Sequence, residues 1–150
     1  MTPSQKGGST MLSSTIDTAK FTGRIMALRG LGTLGCLAVA AIHVIDQGGI
    51  PGMKDPEYVK FLYYALEVAG IVAAALLFTR YASRGWLLSL GVAIGPMVGY
   101  ALSRGPGLPD YTDDIGNWAE PLGVISLVVE GFLLIVTATV LAAPRRGTRR

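Results

Sequence analysis

Long apolar stretches dominate the chain, separated by short segments rich in glycine, proline and charge. Four of them, at about residues 25–45, 58–79, 86–103 and 121–143, approach or exceed the roughly 20 helical residues that cross a bilayer core. Their apolar residues are continuous and do not alternate, which favours helices over the strands of a membrane barrel. The pattern therefore predicts an all-α protein, folded as a four-helix transmembrane bundle.

The breaks between the stretches carry signals for helix starts. Asp55 is a candidate N-cap, with Pro56 at the first helical position of the second span. Asn117 and Glu120 are both candidates for the start of the fourth span. The connection at residues 80–85 is short, so the second and third spans should be antiparallel neighbours.

The composition supports a membrane protein. Hydrophobic residues make up 51% of the chain and charged residues 15%, whereas soluble domains carry about 25% charged residues. This balance excludes a soluble enzyme and a disordered tail, and a single cysteine excludes an internal disulfide scaffold. Residues 1–24 are predicted to be a flexible polar segment without a cleavable signal core.

The basic residues are distributed unevenly between the two ends of the predicted bundle. If both termini are cytoplasmic, ten of the 13 lysines and arginines lie on that side and seven of the ten acids lie outside. The positive-inside rule then predicts a multi-pass protein of the plasma (inner) membrane with both termini in the cytoplasm. The basic tail, residues 144–150, suits anionic headgroups. We therefore expect the lipid bilayer as a partner and no nucleic acid.

Small residues recur at helical spacing in two spans. Gly91, Gly95, Gly99 and Ser103 follow one side of the third span, which predicts close packing of another helix.

The first span contains a glycine string of its own. Gly30, Gly32 and Gly35 spell the G-x-G-x-x-G of dinucleotide folds, but they lie inside an apolar span and not after a strand. They too predict close helix packing.

Two carboxyl groups are predicted inside the bilayer. Glu67 and Glu130 each lie nine residues from the start of their span, so both should be about 14 Å deep from the same face. Ser126 shares the stripe of Glu130, and Tyr63 neighbours Glu67. Acids within spans commonly mark proton or ion pathways. The alternative is that each is protonated and hydrogen-bonded as a packing contact.

A polar cluster is predicted at the outer face. His43, the only histidine, precedes Asp46 by about one turn and is expected to bond to a loop acid. Arg104 is expected to pair with Glu120 or an aspartate. No zinc or calcium spacing is present, and one imidazole cannot provide bis-histidine haem ligation within a monomer. We expect no metal and no cofactor.

Several segments of the second half carry a resemblance. They are Gly99–Arg104, Gly107–Pro109 and Glu120–Gly123, with Ser126 and Glu130. Together they resemble a family of small four-span bacterial integral membrane proteins of unassigned function. The resemblance implies the four-span architecture and no catalytic residues.

Three functions follow as hypotheses. The first is a non-enzymatic accessory or interaction subunit of a larger plasma-membrane complex, contacting other membrane subunits or itself, because tiny loops leave little room for a substrate cavity. The alternative is a small proton- or cation-coupled transporter, acting as an oligomer, with Glu67 and Glu130 as its relay. A membrane redox protein that binds haem or quinone is third, limited by the lone histidine.

Overall fold

The protein is a bundle of four helices. The computed structural model describes the backbone of residues 6–143 and the side chains of residues 19–143. The helices are α1 (Lys6–Asp46), α2 (Glu57–Leu77), α3 (Ala82–Arg104) and α4 (Pro121–Ala142). Each contains a segment long and apolar enough to cross a membrane, which in α1 is Ala19–Asp46. The predicted all-α, four-helix architecture is confirmed, and the arrangement is consistent with a multi-pass membrane protein.

The first helix is longer than the predicted span. It begins at Lys6, so residues 6–24 continue the helix where a flexible segment was expected. No proline lies between Pro3 and Pro51, so every residue of α1 retains its backbone donor. Residues 1–5 and the predicted basic tail, residues 144–150, lie outside the described residues.

The helix starts follow the predicted signals only in part. Pro56 occupies the N-cap position of α2 without a side-chain cap, so the prediction that Asp55 caps this helix is wrong. Glu120 caps α4: its carboxylate accepts from the backbone N–H of Leu122 at 3.0 Å and of Gly123 at 2.5 Å. This capping satisfies two donors that a helix start otherwise leaves unpaired.

The helices form a ring in chain order. Each packs against the next, α4 closes onto α1, and α1 also touches α3, whereas α2 and α4 make no contact within the described residues. Successive helices are antiparallel. The end with Asp46 and Arg104 is called the Asp46 end, and the end with Leu77 and Ala82 is called the Leu77 end.

Close packing is concentrated at the middle of the bundle and at its Leu77 end. Buried apolar residues there form two clusters: Cys36, Val39, Ala73, Ala74, Val92, Ala93 and Leu133, and Leu77, Trp86 and Val136. A Cβ at Gly32 would lie 2.6 Å from the Trp86 ring, and one at Gly35 would lie 3.0 Å from Leu133. The close packing predicted for these two glycines is confirmed, whereas a Cβ at Gly30 would meet nothing within 4 Å in the described part of the chain, so the prediction is wrong there.

The glycine stripe of α3 behaves differently. A Cβ at Gly91, Gly95 or Gly99 would meet no atom within 4 Å in the described part of the chain. Ser103, the last member of the stripe, is buried. Within this chain, the three glycines therefore leave open space where the sequence predicted close helix approach.

Candidate functional site

A cavity of about 270 Å³ occupies the Asp46 half of the bundle. Its polar lining consists of His43, Asp46, Tyr63, Tyr100, Ser103, Arg104, Tyr111, Glu120, Ser126 and Glu130. We expected little room for a substrate cavity in so small a bundle, and this expectation is wrong. The space exists because Gly95 and Gly99 form part of the wall and carry no side chains to fill it.

Glu130 is the most deeply buried acid of the cavity, with 1% of its surface exposed. Ser126, one turn earlier on α4, donates its hydroxyl to Oε1 of Glu130 at 2.5 Å. The other oxygen, Oε2, has no hydrogen-bond partner among the described residues. A buried carboxyl with an unpaired oxygen is costly unless it binds a proton or a positive charge.

His43 faces Glu130 from α1. Its Nδ1 lies 2.9 Å from the carbonyl oxygen of Val39. A carbonyl can only accept, so in this hydrogen bond Nδ1 carries the proton. In the neutral ring Nε2 is then an acceptor, and it lies 4.0 Å from Oε1 of Glu130. The expected bond from His43 to a loop acid is wrong, because the ring turns inward along α1.

Asp46 has partners of its own. It accepts a hydrogen bond from the Tyr63 hydroxyl, and Nζ of Lys54 lies 3.1 Å from the same carboxylate oxygen. The Tyr63 ring also packs beside the His43 ring, with centroids 5.3 Å apart. Tyr63, predicted as a neighbour of Glu67, therefore belongs to the cavity. The Asp46 charge is compensated without a ligand.

Arg104 ends α3 at the rim of the cavity. Its guanidinium lies 3.3 Å from Asp114 and 3.8 Å from Glu120, and it stacks 4.3 Å from the Tyr100 ring centroid. The predicted ion pair of Arg104 with Glu120 or an aspartate is present. Asp114 is one of three aspartates in its loop, and the sequence did not single it out.

The loop between α3 and α4 covers the Asp46 end of the cavity, and Leu108 and Tyr111 contribute to the lining. The Tyr58 hydroxyl donates to the carbonyl of Pro109 at 2.7 Å, tying this loop to α2. Tyr111 donates to Asp114 at 2.7 Å. Burial, reinforced by this bond, raises the pKa of the Tyr111 phenol above its usual range. The loop between α3 and α4 is therefore folded over the cavity and held there by hydrogen bonds.

Glu67 lies elsewhere. It is 6% exposed and does not line the cavity. Gln47 donates its side-chain amide to Oε1 of Glu67 at 2.6 Å. Since α2 and α4 lie at opposite corners of the ring, the structure does not bring Glu67 and Glu130 together. The sequence contained no signal for Gln47, because only the packing of α1 beside α2 brings it to Glu67.

The charges around the cavity leave one group uncompensated. Arg104 pairs with two acids and Lys54 with Asp46, whereas Glu130 faces only an imidazole and a hydroxyl. No group of three or more His, Cys, Asp or Glu residues suited to a metal ion occurs in the described part of the chain. One carboxyl beside one imidazole suits a proton or a single monovalent cation.

Comparison of the chain with protein-family models, with curated proteins and with solved structures finds no match. The resemblance to small four-span bacterial proteins therefore stays a prediction, and the geometry of the cavity is the basis for inferring a function.

Proposed function

We propose that this protein is a small proton-coupled membrane carrier for a cation, with Glu130 binding the proton and the cation in turn. The observation that carries the proposal is the unpaired, buried Oε2 of Glu130 on the wall of the cavity. A proton and a cation each neutralise the same carboxylate, so binding of one displaces the other. Such competition couples the movement of the two ions.

The imidazole of His43 supports this mechanism. Its Nε2 is the acceptor atom of the neutral ring and lies 4.0 Å from Oε1 of Glu130. When a cation displaces the proton from Glu130, this nitrogen is available beside the carboxyl to accept it. Histidine is suited to this task because small changes in its surroundings decide whether it is charged near neutral pH.

We also propose that the bundle lies in a bacterial plasma membrane with both termini cytoplasmic. Arg80 and Arg84 lie at the Leu77 end, whereas Asp46, Asp114 and Glu120 lie at the Asp46 end. Under the positive-inside rule, this difference supports placing the Leu77 end in the cytoplasm. The cavity would then be nearer the outer face.

A second proposal, the accessory or interaction subunit, is favoured by the exposed face of α3. Gly91 and Gly95 are exposed and have open space beside them. A helix of another subunit, or of a second copy of this chain, could approach that face closely. A partner that co-purifies in mild detergent and is lost on Gly91→Leu substitution supports this assignment.

Proton release from proteoliposomes tests the carrier function. The purified full chain is reconstituted with a pH-sensitive dye inside, and Na⁺, K⁺, Ca²⁺, tetramethylammonium and benzyltrimethylammonium are added outside in turn. We expect at least one of these cations to drive protons out faster than in protein-free liposomes. Glu130→Gln should abolish that flux, since an amide cannot exchange a proton for a cation.

Glu67→Gln is the matched control. Glu67 is also a buried glutamate within a span, but it already has a hydrogen-bonded amide partner and lies outside the cavity. We expect this variant to retain most of the flux. If no cation in the panel moves protons, or if Glu130→Gln retains the flux, the carrier proposal is wrong. Loss in the Glu67 variant alone would instead assign the pathway to Glu67.

A further inference from the structure

The seam between α2 and α3 is closed at the Leu77 end and open toward the Asp46 end. A Cβ at Gly85 would lie 3.1 Å from Leu76, so the two helices touch there. Counting along the antiparallel pair from this contact places Gly95 opposite Leu66 and Gly99 opposite Leu62. Yet a Cβ at Gly95 or Gly99 would meet nothing within 4 Å. At these two positions of α3, no side chain therefore fills the space beside the cavity.

This gap connects the cavity with the flank of the bundle. Leu62, Leu66, Gly95 and Gly99 all line the cavity. Gly95 is exposed and Leu62 is 60% exposed, so both also belong to the outer surface. The cavity wall is thus interrupted between α2 and α3, at a height that lies within the candidate spans.

The surface beside the gap is apolar. Phe61 and Leu62 on α2 are each 60% exposed, and Val98 on α3 is 50% exposed. The Asp46 end, in contrast, is covered by the loop that Tyr58 ties to α2. Access to the cavity is therefore more open from the flank of the bundle, between α2 and α3, where lipid chains would lie.

We propose that the cavity binds an organic amine with an apolar body, which enters from the hydrocarbon between α2 and α3 and is held at Glu130 as an ammonium ion. This inference rests on the proposed carrier function and names its substrate class. The unpaired Oε2 of Glu130 supplies an acceptor for the ammonium. The rings of Tyr63 and Tyr100 on the same wall can also stabilise a cation.

The entry step balances in protons and charge. A neutral amine partitions into lipid far better than its ammonium form, since charge is costly in hydrocarbon. At the protonated Glu130 carboxyl, the O–H bond breaks, the proton moves to the amine nitrogen and an N–H bond forms. The products are a carboxylate and an ammonium in contact, with no change in total charge, and Glu130 takes up a new proton when the ammonium leaves, so the carboxyl holds the proton and the cation in turn. The apolar side chains of Ile42, Leu66 and Leu122 surround the body of the amine.

Binding of 2-phenylethylamine to the full chain in lipid nanodiscs tests the inference. Stopped-flow fluorescence would give the association rate, and calorimetry the affinity. The double variant Gly95→Leu/Gly99→Leu places two side chains in the gap. We expect its association rate to fall at least about tenfold, while Glu130→Gln should weaken equilibrium binding by a similar factor or more.

Gly91→Leu is the matched control for the double variant. It adds the same side chain to the same helix, at an exposed position that does not line the cavity. We expect it to bind 2-phenylethylamine at the wild-type rate. Phenylacetate, an anion of similar size, should not bind. Thermal unfolding of each variant confirms that the bundle is folded.

The outcomes separate the two proposals. If the chain exchanges protons for a cation through Glu130 but does not bind 2-phenylethylamine, the amine inference is wrong and the carrier function stands. If the amine binds at an unchanged rate in the double variant, entry between α2 and α3 is wrong. If Glu130→Gln binds the amine as wild type does, Glu130 is not the site of the ammonium.

Discussion

The Nε2 atom of His43 lies 4.0 Å from Oε1 of Glu130, across the contact between α1 and α4. The opposite ring nitrogen is fixed by the carbonyl of Val39. The position and tautomer of the ring are therefore set by α1, and the side of the ring that can accept a proton faces the buried carboxyl. In the proposed carrier, this arrangement would let the imidazole accept the proton that Glu130 releases.

Removing this acceptor should slow proton exchange. His43→Phe keeps a ring beside Tyr63 but removes both nitrogens, so we expect cation-driven proton flux to fall about ten- to a hundredfold. The dye assay in proteoliposomes measures this loss. Asp46→Asn is the control, because Asp46 lies on the same cavity but bonds to Tyr63 and Lys54. Wild-type flux in the phenylalanine variant would show that His43 does not take part.

Two glycines of the bundle should respond oppositely to the same substitution. A Cβ at Gly70 would lie 2.9 Å from the backbone carbonyl of Cys36, whereas one at Gly91 would meet nothing within 4 Å. Gly70→Ala should therefore destabilise the bundle by about 1–3 kcal/mol through overpacking. Gly91→Ala should be neutral or stabilising by up to about 1 kcal/mol, the helix propensity gained. Thermal unfolding in detergent compares the two alanine variants. Equal melting temperatures would contradict the close packing of Gly70 on α2 against Cys36 on α1.

The loop over the cavity should loosen when Arg104 is removed. The guanidinium joins the end of α3 to Asp114 and Glu120, and its side chain is 12% exposed. In Arg104→Ala we expect hydrogen exchange of residues 105–120 to accelerate about tenfold or more, since both acids lose the positive charge of the guanidinium. Asp113→Asn, a change at an exposed acid of the same loop, should leave exchange unchanged. Unchanged hydrogen exchange in both variants would mean that the ion pairs of Arg104 do not hold this loop in place.

Tyr111 should make stability depend on alkaline pH. Burial and the bond to Asp114 raise the pKa of its phenol in the folded protein, compared with about 10 when unfolded. Below about pH 10 the phenol is neutral in both states and its contribution is complete. Above that pH the unfolded state ionises first, so the free energy of unfolding falls as pH rises toward the folded value.

Chemical unfolding between about pH 9 and 11.5 measures this slope for the wild type and for Tyr111→Phe. We expect the slope to be smaller in the phenylalanine variant, since that variant has no phenol at position 111 to ionise. Tyr81→Phe is the control, because Tyr81 is an exposed tyrosine at the opposite end of the bundle. Identical slopes in the wild type and in Tyr111→Phe would place the Tyr111 phenol in contact with water.

Single cysteines test the proposed orientation. Native Cys36 is fully buried and should not react with a membrane-impermeant maleimide. Asp113→Cys should be labelled on intact cells, and Ser83→Cys only after the cells are opened. Both positions are exposed and lie at opposite ends of the bundle. The reverse labelling pattern would place the Asp46 end in the cytoplasm.

The helices were predictable from the sequence because length and apolar character are local properties. The sequence left Asn117 and Glu120 as candidates for the start of α4, and the structure selects Glu120, whereas Asp55 failed as a cap because α2 starts directly after Pro56. Partners across helices were not predictable. Gln47 reaches Glu67 only through the packing of α1 beside α2, and matching depth alone could not show that Glu67 and Glu130 lie on opposite helices.

The glycines explain why the cavity itself was missed. A glycine in a span permits either close approach of a neighbouring helix or an empty space, and the difference depends on the opposing side chain. Trp86 covers Gly32 and Leu133 covers Gly35, so those positions are tightly packed. Gly99 lines the cavity together with Leu62, which is largely exposed, and the space beside this glycine is open. The same residue pattern therefore had two structural outcomes.

The apolar layer below the cavity has a consequence for turnover. Cys36, Val39, Ala73, Val92 and Leu133 are almost completely inaccessible, and Cys36 on α1 contacts Ser89 on α3 at 3.2 Å. A continuous chain of water molecules cannot cross this layer. In this conformation the cavity is therefore closed toward the Leu77 end and does not form a pore. In the proposed carrier, a cation bound at Glu130 would reach the Leu77 end only after the helices that form this layer separate. The frequency of that separation, rather than the affinity of Glu130 for the cation, would then limit the turnover of the proposed carrier.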